Sequence, residues 1–219
     1  DGGSDVAPIE APYLSKVNAP TAPAKDGYDF GGWATTKGII DESQAVTFPY
    51  EMPLNGTTLY AIWLVKEYEI KFDTLGGTPA VDTVTADYLS NVAKPATEPT
   101  KTGYSFGGWS ETSGSTTAVT FPYEMPLNGT TLYAIWNIES YTVKWDDRGN
   151  VTTEIYKYNA KLNIPAPERT GYTFKGWSGL PEGTTNMYDL GNDGASITYT
   201  AVWEANSFPA VFNANDGAF

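Results

Sequence analysis

The sequence predicts a mostly-β protein made of tandem modules, each with at most one short helical turn. Three observations carry that prediction. Residues 45–63, AVTFPYEMPLNGTTLYAIW, return letter for letter at 118–136, 73 positions on. GYDFGGW at Gly27–Trp33 returns as GYSFGGW at Gly103–Trp109 and as GYTFKGW at Gly171–Trp177. Within the recurring segments apolar and polar residues alternate with a period of two, as in a half-buried strand.

The first element of a module is an alternating strand. In YEIKFD, Tyr68, Ile70 and Phe72 face one way, and Glu69, Lys71 and Asp73 the other. YTVKWD repeats the pattern with Tyr141, Val143 and Trp145, and FPAVFN (Phe208–Asn213) opens it again. Next come the pairs Tyr13/Val17, Tyr88/Val92 and Tyr158/Leu162, each followed by Pro20, Pro95 or Pro165. That spacing predicts about one helical turn, stopped by its proline. GYxFxGW is the next strand. Tyr28 and Phe30 share a face, so a bulge at Gly31-Gly32 is needed to return Trp33 to the same side. The stretches ATTKGIIDESQ and SETSGSTT differ by three residues between the first two copies, as a loop allows. Asn55-Gly56 and Asn128-Gly129 then predict type I′ hairpin turns, with Asp193-Gly194 as the third counterpart. The closing strand, LYAIW at Leu59–Trp63 and Leu132–Trp136, returns as YTAVW at Tyr199–Trp203. Its face Leu59, Ala61, Trp63 stays apolar as Tyr199, Ala201, Trp203, so that face is assigned to the core.

These elements divide the chain into module one, 1–66, without its first strand; module two, 67–139; module three, 140–205; and the first strand of a fourth, 206–219. The expected core consists of Trp33, Trp63, Trp109, Trp136, Trp177 and Trp203, with Phe30, Phe106, Phe174, Phe72 and Trp145. Periodic aromatics of this kind are packing residues first and sugar platforms second.

The order Y-x-V-x-F, G-Y-x-F-x-G-W, L-Y-A-x-W resembles the Listeria–Bacteroides repeat, the B-repeat of internalins and related bacterial surface proteins. Three copies cover nearly the whole chain. The resemblance implies tandem β-grasp (ubiquitin-like) modules in an extracellular, cell-wall-attached or secreted adhesin-like protein. It implies a stalk or spacer role without enzyme activity. The family's usual turn after the first strand, N-G-G, is here Leu75-Gly76-Gly77, Arg148-Gly149-Asn150 and Asn215-Asp216-Gly217. A module that binds glycan or a host protein through its variable loops is the rival reading.

Composition narrows the chemistry. With 13 Lys+Arg against 26 Asp+Glu the net charge is −13, which disfavours nucleic acid and anionic membrane surfaces as partners. There is no cysteine and no histidine, removing disulfides, thiolates, the commonest general base and the commonest metal ligand. No apolar run is long enough to span a membrane. Asp146–Asn150 and Asp189–Gly194 carry oxygen ligands and glycines, but neither has EF-hand spacing or recurs in the other modules, so turn chemistry is expected. Lys71 and Lys144 lie on the polar face of the first strand, where an exposed lysine is expected rather than a Lys–Asn crosslink. No acid recurs at a core-facing position with a matching partner. No catalytic residue, cofactor or metal site is therefore expected, and Glu51 and Glu124 are repeated by the duplication.

The ends raise one further expectation. The chain opens at Asp1 without Met and reads as a segment of something longer. Asp1-Gly2-Gly3 matches the turn after a first strand, and Phe208–Asn213 is a first strand without its module. Two arrangements fit. Phe208–Asn213 completes module one of another molecule, head to tail, or each such strand packs back on the preceding module and the true unit is permuted. The partner of Tyr68–Asp73 separates them. Besides the neighbouring repeats of the same chain, the partner classes are therefore a second copy and a host-surface protein or glycan. The four-residue linkers LVKE, NIES and EANS are short enough to hold successive modules nearly end to end.

Overall fold

Strands form where the alternation is strongest. The computed structural model describes residues 2–212 and is almost entirely β, with no α-helix among those residues. Two compact units are present. One holds the chain through Pro99 together with Gly108–Ile135, the other Thr100–Gly107 with the chain from Trp136 onward.

In the first repeat, β1 (Lys16–Val17), β2 (Tyr28–Ala34), β3 (Tyr50–Glu51) and β4 (Tyr60–Val65) form two small antiparallel pairs, β1 with β3 and β2 with β4. The second repeat adds β5 (Glu67–Asp73), β6 (Val84–Asp87), β7 (Asn91–Val92), β8 (Tyr104–Ser110), β9 (Tyr123–Glu124) and β10 (Thr130–Ile138). Its main sheet runs β6-β5-β10-β8, while β7 pairs with β9. The third holds β11 (Ser140–Asp147), β12 (Asn150–Lys157), β13 (Tyr172–Ser178) and β14 (Ser196–Ala205) in the order β12-β11-β14-β13. In both four-stranded sheets the central pair is parallel. Ile70 faces Thr130 and Phe72 faces Leu132; Val143 faces Ile197 and Trp145 faces Tyr199.

Tyr68–Asp73 thus finds its partners in Val84–Asp87 and Thr130–Tyr133, all later in the sequence. The bulge needed by GYxFGGW is present: the register of β2 against β4 shifts between Phe30 and Gly32, and that of β13 against β14 between Phe174 and Gly176. Gly32, with φ +119°, takes the backbone conformation that an L side chain resists. Phe30 and Trp33 then meet edge to face at 5.3 Å on one side of the strand.

Two local expectations are corrected. The Tyr-x-x-x-Val stretches form no helical turn. Leu14, Leu89 and Asn159, each directly after its Tyr, lie at φ +60°, +63° and +61°, and a left-handed residue cannot continue a right-handed turn. The chain instead turns and enters β1 or β7. Asn55-Gly56 and Asn128-Gly129 have the positive φ angles of a type I′ turn, 70°/75° and 66°/70°. They do not close a hairpin, because the strands on either side pair elsewhere: β3 with β1 and β4 with β2. Of Asp193-Gly194, only Gly194 has positive φ.

The duplicated 19 residues provide an internal control. Thr130, Thr131 and Leu132 are strand, but the identical Thr57, Thr58 and Leu59 are not, and β4 starts only at Tyr60. Leu132 and Met125 are fully buried, whereas Leu59 and Met52 are half-buried. Since the sequences are the same, the neighbour makes the difference: Thr130–Tyr133 pairs with Ile70–Asp73, and no described strand pairs in that way with Thr57–Tyr60. Asn213, the last residue of the strand Phe208–Asn213 as read from the sequence, lies outside the described residues, as does the Asn215-Asp216-Gly217 turn.

Candidate functional site

Aromatic residues fill the interiors of the repeats. Trp109, Trp145, Trp177 and Phe72 are buried. Phe72 meets Trp109 at 4.9 Å; Trp145 meets Trp177 at 5.0 Å and Tyr199 at 5.2 Å. Trp33, Phe30, Phe106 and Phe174 are half-buried. The closing tryptophans Trp63, Trp136 and Trp203 each pack against the phenylalanine of their own repeat, at 5.9, 5.6 and 5.4 Å from Phe30, Phe106 and Phe174. They too are half-buried, less covered than a core-face position implies, while Ile62 and Ile135, one residue earlier and on the opposite face, are buried.

The feature that recurs with specific geometry lies where one repeat passes into the next. In the first joint the Lys66 amide donates to the Gly27 carbonyl at 2.9 Å, and the Tyr88 amide donates to the Lys66 carbonyl at 2.8 Å. The Tyr88 ring stands edge-on to Tyr28 and Tyr68, with centroids 6.1 and 6.2 Å away. It also lies so close over Gly27 (φ +78°) that a Cβ there would collide with it. The second joint has the same parts. The Glu139 amide donates to Gly103 at 3.0 Å, the Tyr158 amide to Glu139 at 2.8 Å, and a Cβ on Gly103 (φ +74°) would collide with the Tyr158 ring. The first half also exists after the third repeat, where the Asn206 amide donates to Gly171 at 2.9 Å. A cation sits two residues before each of these glycines: Lys25 over Tyr28, Lys101 over Tyr104 and Arg169 over Tyr172. Neither the glycines nor the cations stand out as site residues on sequence reading. The signal was present as a basic residue, one spacer and Gly-Tyr in all three copies.

The acidic turns accept from backbone amides, in their own turn or on a neighbouring strand. Asp146 Oδ1 accepts from the Gly149 amide at 2.7 Å, and Asp193 Oδ1 from the Ser140 amide at 2.7 Å. Asp147 accepts from Arg148 and from Trp203 Nε1. No group of three metal-ligating side chains occurs among the described residues. Lys71 is exposed, with its Nζ 3.8 Å from Glu69.

Asp189 joins the second joint to the third repeat's interior. It accepts from the Gly191 amide at 2.6 Å, from the Tyr141 hydroxyl at 2.9 Å and from the Gly103 amide at 3.1 Å. The Gly191 amide, with the Tyr141 and Gly103 donors, holds its carboxyl below the usual carboxylate range. Burial pushes the Tyr141 hydroxyl up, and the neighbouring Glu139 and Asp189 push it further, so it stays a donor. A carboxyl depressed on folding stabilises the fold above its unfolded pKa, about 3.9, and this is lost as pH falls through the folded value. Asp189→Asn is therefore expected to be less stable near neutrality, and to lose less on acidification below about pH 4 than the parent does. Urea titrations at a series of pH values test this; parallel pH profiles would remove Asp189 from the joint.

The model of the Listeria-Bacteroides repeat domain matches residues 1–62, 68–135 and 141–202. A protein of Evansella cellulosilytica named "Putative membrane protein" is 32% identical over 219 residues, covering 94% of this chain and 32% of that protein. A "Putative Gly-rich membrane protein" of the same organism is 33% identical over 180 residues, 81% of this chain and 20% of the relative. Internalin H of Listeria monocytogenes is 38% identical over 146 residues, 65% of this chain and 26% of its own length. The chain thus spans a third or less of the curated relatives it matches. No helix among the described residues is long and apolar enough to cross a membrane.

Proposed function

The chain belongs to the Listeria-Bacteroides repeat family, and from that premise we propose that it is an extracellular tandem-repeat segment of a bacterial cell-surface protein, serving as an elongated stalk or spacer of an adhesin-like protein. The observation that carries this reading is the joint. The same two main-chain hydrogen bonds and the same Tyr-over-Gly contact recur at both repeat boundaries. A spacer needs such a joint, and the recurrence of the joint at equivalent positions supports that role.

The modules of this proposal are 1–66, 67–139 and 140–205, with 206–219 opening a fourth. The pairing of β5 with β6 and β10 supports those boundaries, as does that of β11 with β12 and β14. The sheet order, second-first-last-third with a parallel central pair, supports a β-grasp-like module. The eleven aromatics named above form its structural core. Binding to glycan or a host protein is less well supported: the exposed large aromatics among the described residues are Tyr13, Phe208 and Phe212, and every tryptophan is at least half-buried.

Small-angle scattering is the direct test. Four-residue linkers lead us to expect the pair-distance distribution of an elongated particle. A compact globular profile would overturn the stalk reading.

A further inference from the structure

The outer strand of the third repeat's sheet is β12 (Asn150–Lys157), and no other described strand pairs with its far side. It follows β11 through Arg148-Gly149, both at positive φ, and its register against β11 is unbroken from Asp147↔Asn150 to Ser140↔Lys157. Just past that ladder, the Tyr158 amide donates to the Glu139 carbonyl. Main-chain groups alternate sides along an antiparallel strand, so the even-numbered residues of β12 bond to β11. The amides and carbonyls of Val151, Thr153 and Ile155 therefore point the other way, along the free edge. The side chains of these three lie on the face away from the core, with Val151 48% and Ile155 74% exposed. Other edges are blunted. The pairing of β13 is broken by the bulge between Phe174 and Gly176. The counterpart of β12 in the second repeat, which has a repeat on either side, is β6. It too is an outer strand, but it has only four residues. The Tyr88 amide bonds to Lys66, so its outward groups are those of Thr85 and the acid Asp87. In β12 there is no proline, no bulge and no charge at the outward positions from Val151 to Ile155.

We infer that β12 is a self-complementary docking edge: it takes β12 of a second copy of this chain, antiparallel, with Thr153 opposite Thr153 and Val151 opposite Ile155. Charge favours that occupant. Glu154 and Lys157 offset one another, so the strand is neutral in a chain of charge −13, and two copies can approach here without repulsion between the facing strands. In this register Val151, Thr153 and Ile155 each exchange main-chain hydrogen bonds with the residue opposite, because all three point their groups outward. Ile155 of each copy gains Val151 of the other as a β-branched cross-strand neighbour, the kind of pair that stabilises a sheet. The same charges select the register. Centring the pairing on Glu154 would also match the main-chain groups, but it sets Glu154 against Glu154, and like charges directly opposite are destabilising. Centring it on Thr152 leaves Ile155 opposite Gly149, in the turn. Both copies use the same patch, so the contact is isologous and closes as a dimer, with the two sheets joined into one. One strand per copy is expected to bury less than the roughly 1,200–2,000 Å² of a stable interface, so the dimer should form only at high protein concentration. This inference rests on the third repeat's own sheet and is independent of the stalk role.

The test is the mass of the 219-residue chain as a function of concentration, by sedimentation or light scattering, at physiological salt. Salt of that strength screens the repulsion between copies of charge −13. The expected result is a 23.7 kDa species at low concentration that rises to twice that mass. Ile155→Glu alone, or Val151→Lys alone, sets a charge against an apolar neighbour and should hold the chain at 23.7 kDa. Melting of the monomer should be unchanged, since both side chains are exposed there. The two substitutions lie opposite one another in the proposed register, so the chain carrying both gains an ion pair at either end of the contact and should regain the doubled mass. A folding defect would not be repaired in this way. If the edge instead serves an extended segment of another protein, the parent stays at 23.7 kDa at every concentration, and the inference is overturned. Association that survives Ile155→Glu overturns it too, as does a doubly substituted chain that stays monomeric. Scattering from the Ile155→Glu monomer tests the stalk by itself, so the two readings fail separately.

Discussion

Replacing Trp145 by alanine is expected to lower the stability of the third repeat by about 3–5 kcal/mol, the usual cost of emptying a buried aromatic site. Trp145 is 1% exposed and lies between Trp177 and Tyr199, so its loss leaves a cavity bounded by two large rings on a sheet that cannot easily collapse. A domain has only about 5–15 kcal/mol in all, and a repeat of this size lies at the low end. Urea unfolding followed by near-ultraviolet dichroism should show the repeat containing Trp145 melting early or already unfolded. Trp145→Phe should behave differently, because phenylalanine is what the second repeat carries at the matching position, Phe72. The Trp145 indole N–H is buried without a hydrogen-bond partner among the described residues, so its removal offsets part of the lost contact. We expect a loss of less than about 2 kcal/mol for that variant. An unchanged midpoint in Trp145→Ala would show that the ring is not part of the core.

The elements legible in the sequence are those whose signal is local and repeated. Tyr68, Ile70 and Phe72 alternate cleanly, and their strand is found where the alternation places it. The bulge at Gly31-Gly32 was legible because phase alone requires it. The second strand of each sheet was not. Val84–Asp87 carries only four residues, and in Asn150–Lys157 the side chains of Val151 and Ile155 face outward into solvent. Their places are set by pairing with β5 and β11, which periodicity does not report. The Tyr-x-x-x-Val spacing misled for a related reason. An i, i+4 pair fits a helix, but it fits equally a tight turn through a left-handed residue, and the tertiary contacts of Tyr88 with Tyr28 and Tyr68 select the turn. The joint was half legible: the Gly-Tyr of GYxFxGW is plain in all three copies, but that the glycine makes room for a tyrosine some 55 to 61 residues later is a fact of packing.

Gly129→Ala and Gly56→Ala are expected to differ sharply although the 19 residues around them are identical. Both glycines have positive φ, +70° and +75°, so each substitution carries the left-handed cost of about 1–2 kcal/mol. At Gly56 no described residue lies within 4 Å of the new methyl group. At Gly129 the methyl would collide with the backbone of Glu69, its carbonyl oxygen first. Backbone cannot rotate aside like a side chain. Relief requires β5 to move off β10, loosening the parallel pair that buries Ile70 and Phe72 against Leu132. Overpacking of this kind adds about 1–3 kcal/mol, and the gap between the two variants should be of that size. Denaturant titrations of the two variants measure it. Equal losses would mean that the first strand does not lie along the closing strand of its own repeat, and the module boundaries would have to be redrawn.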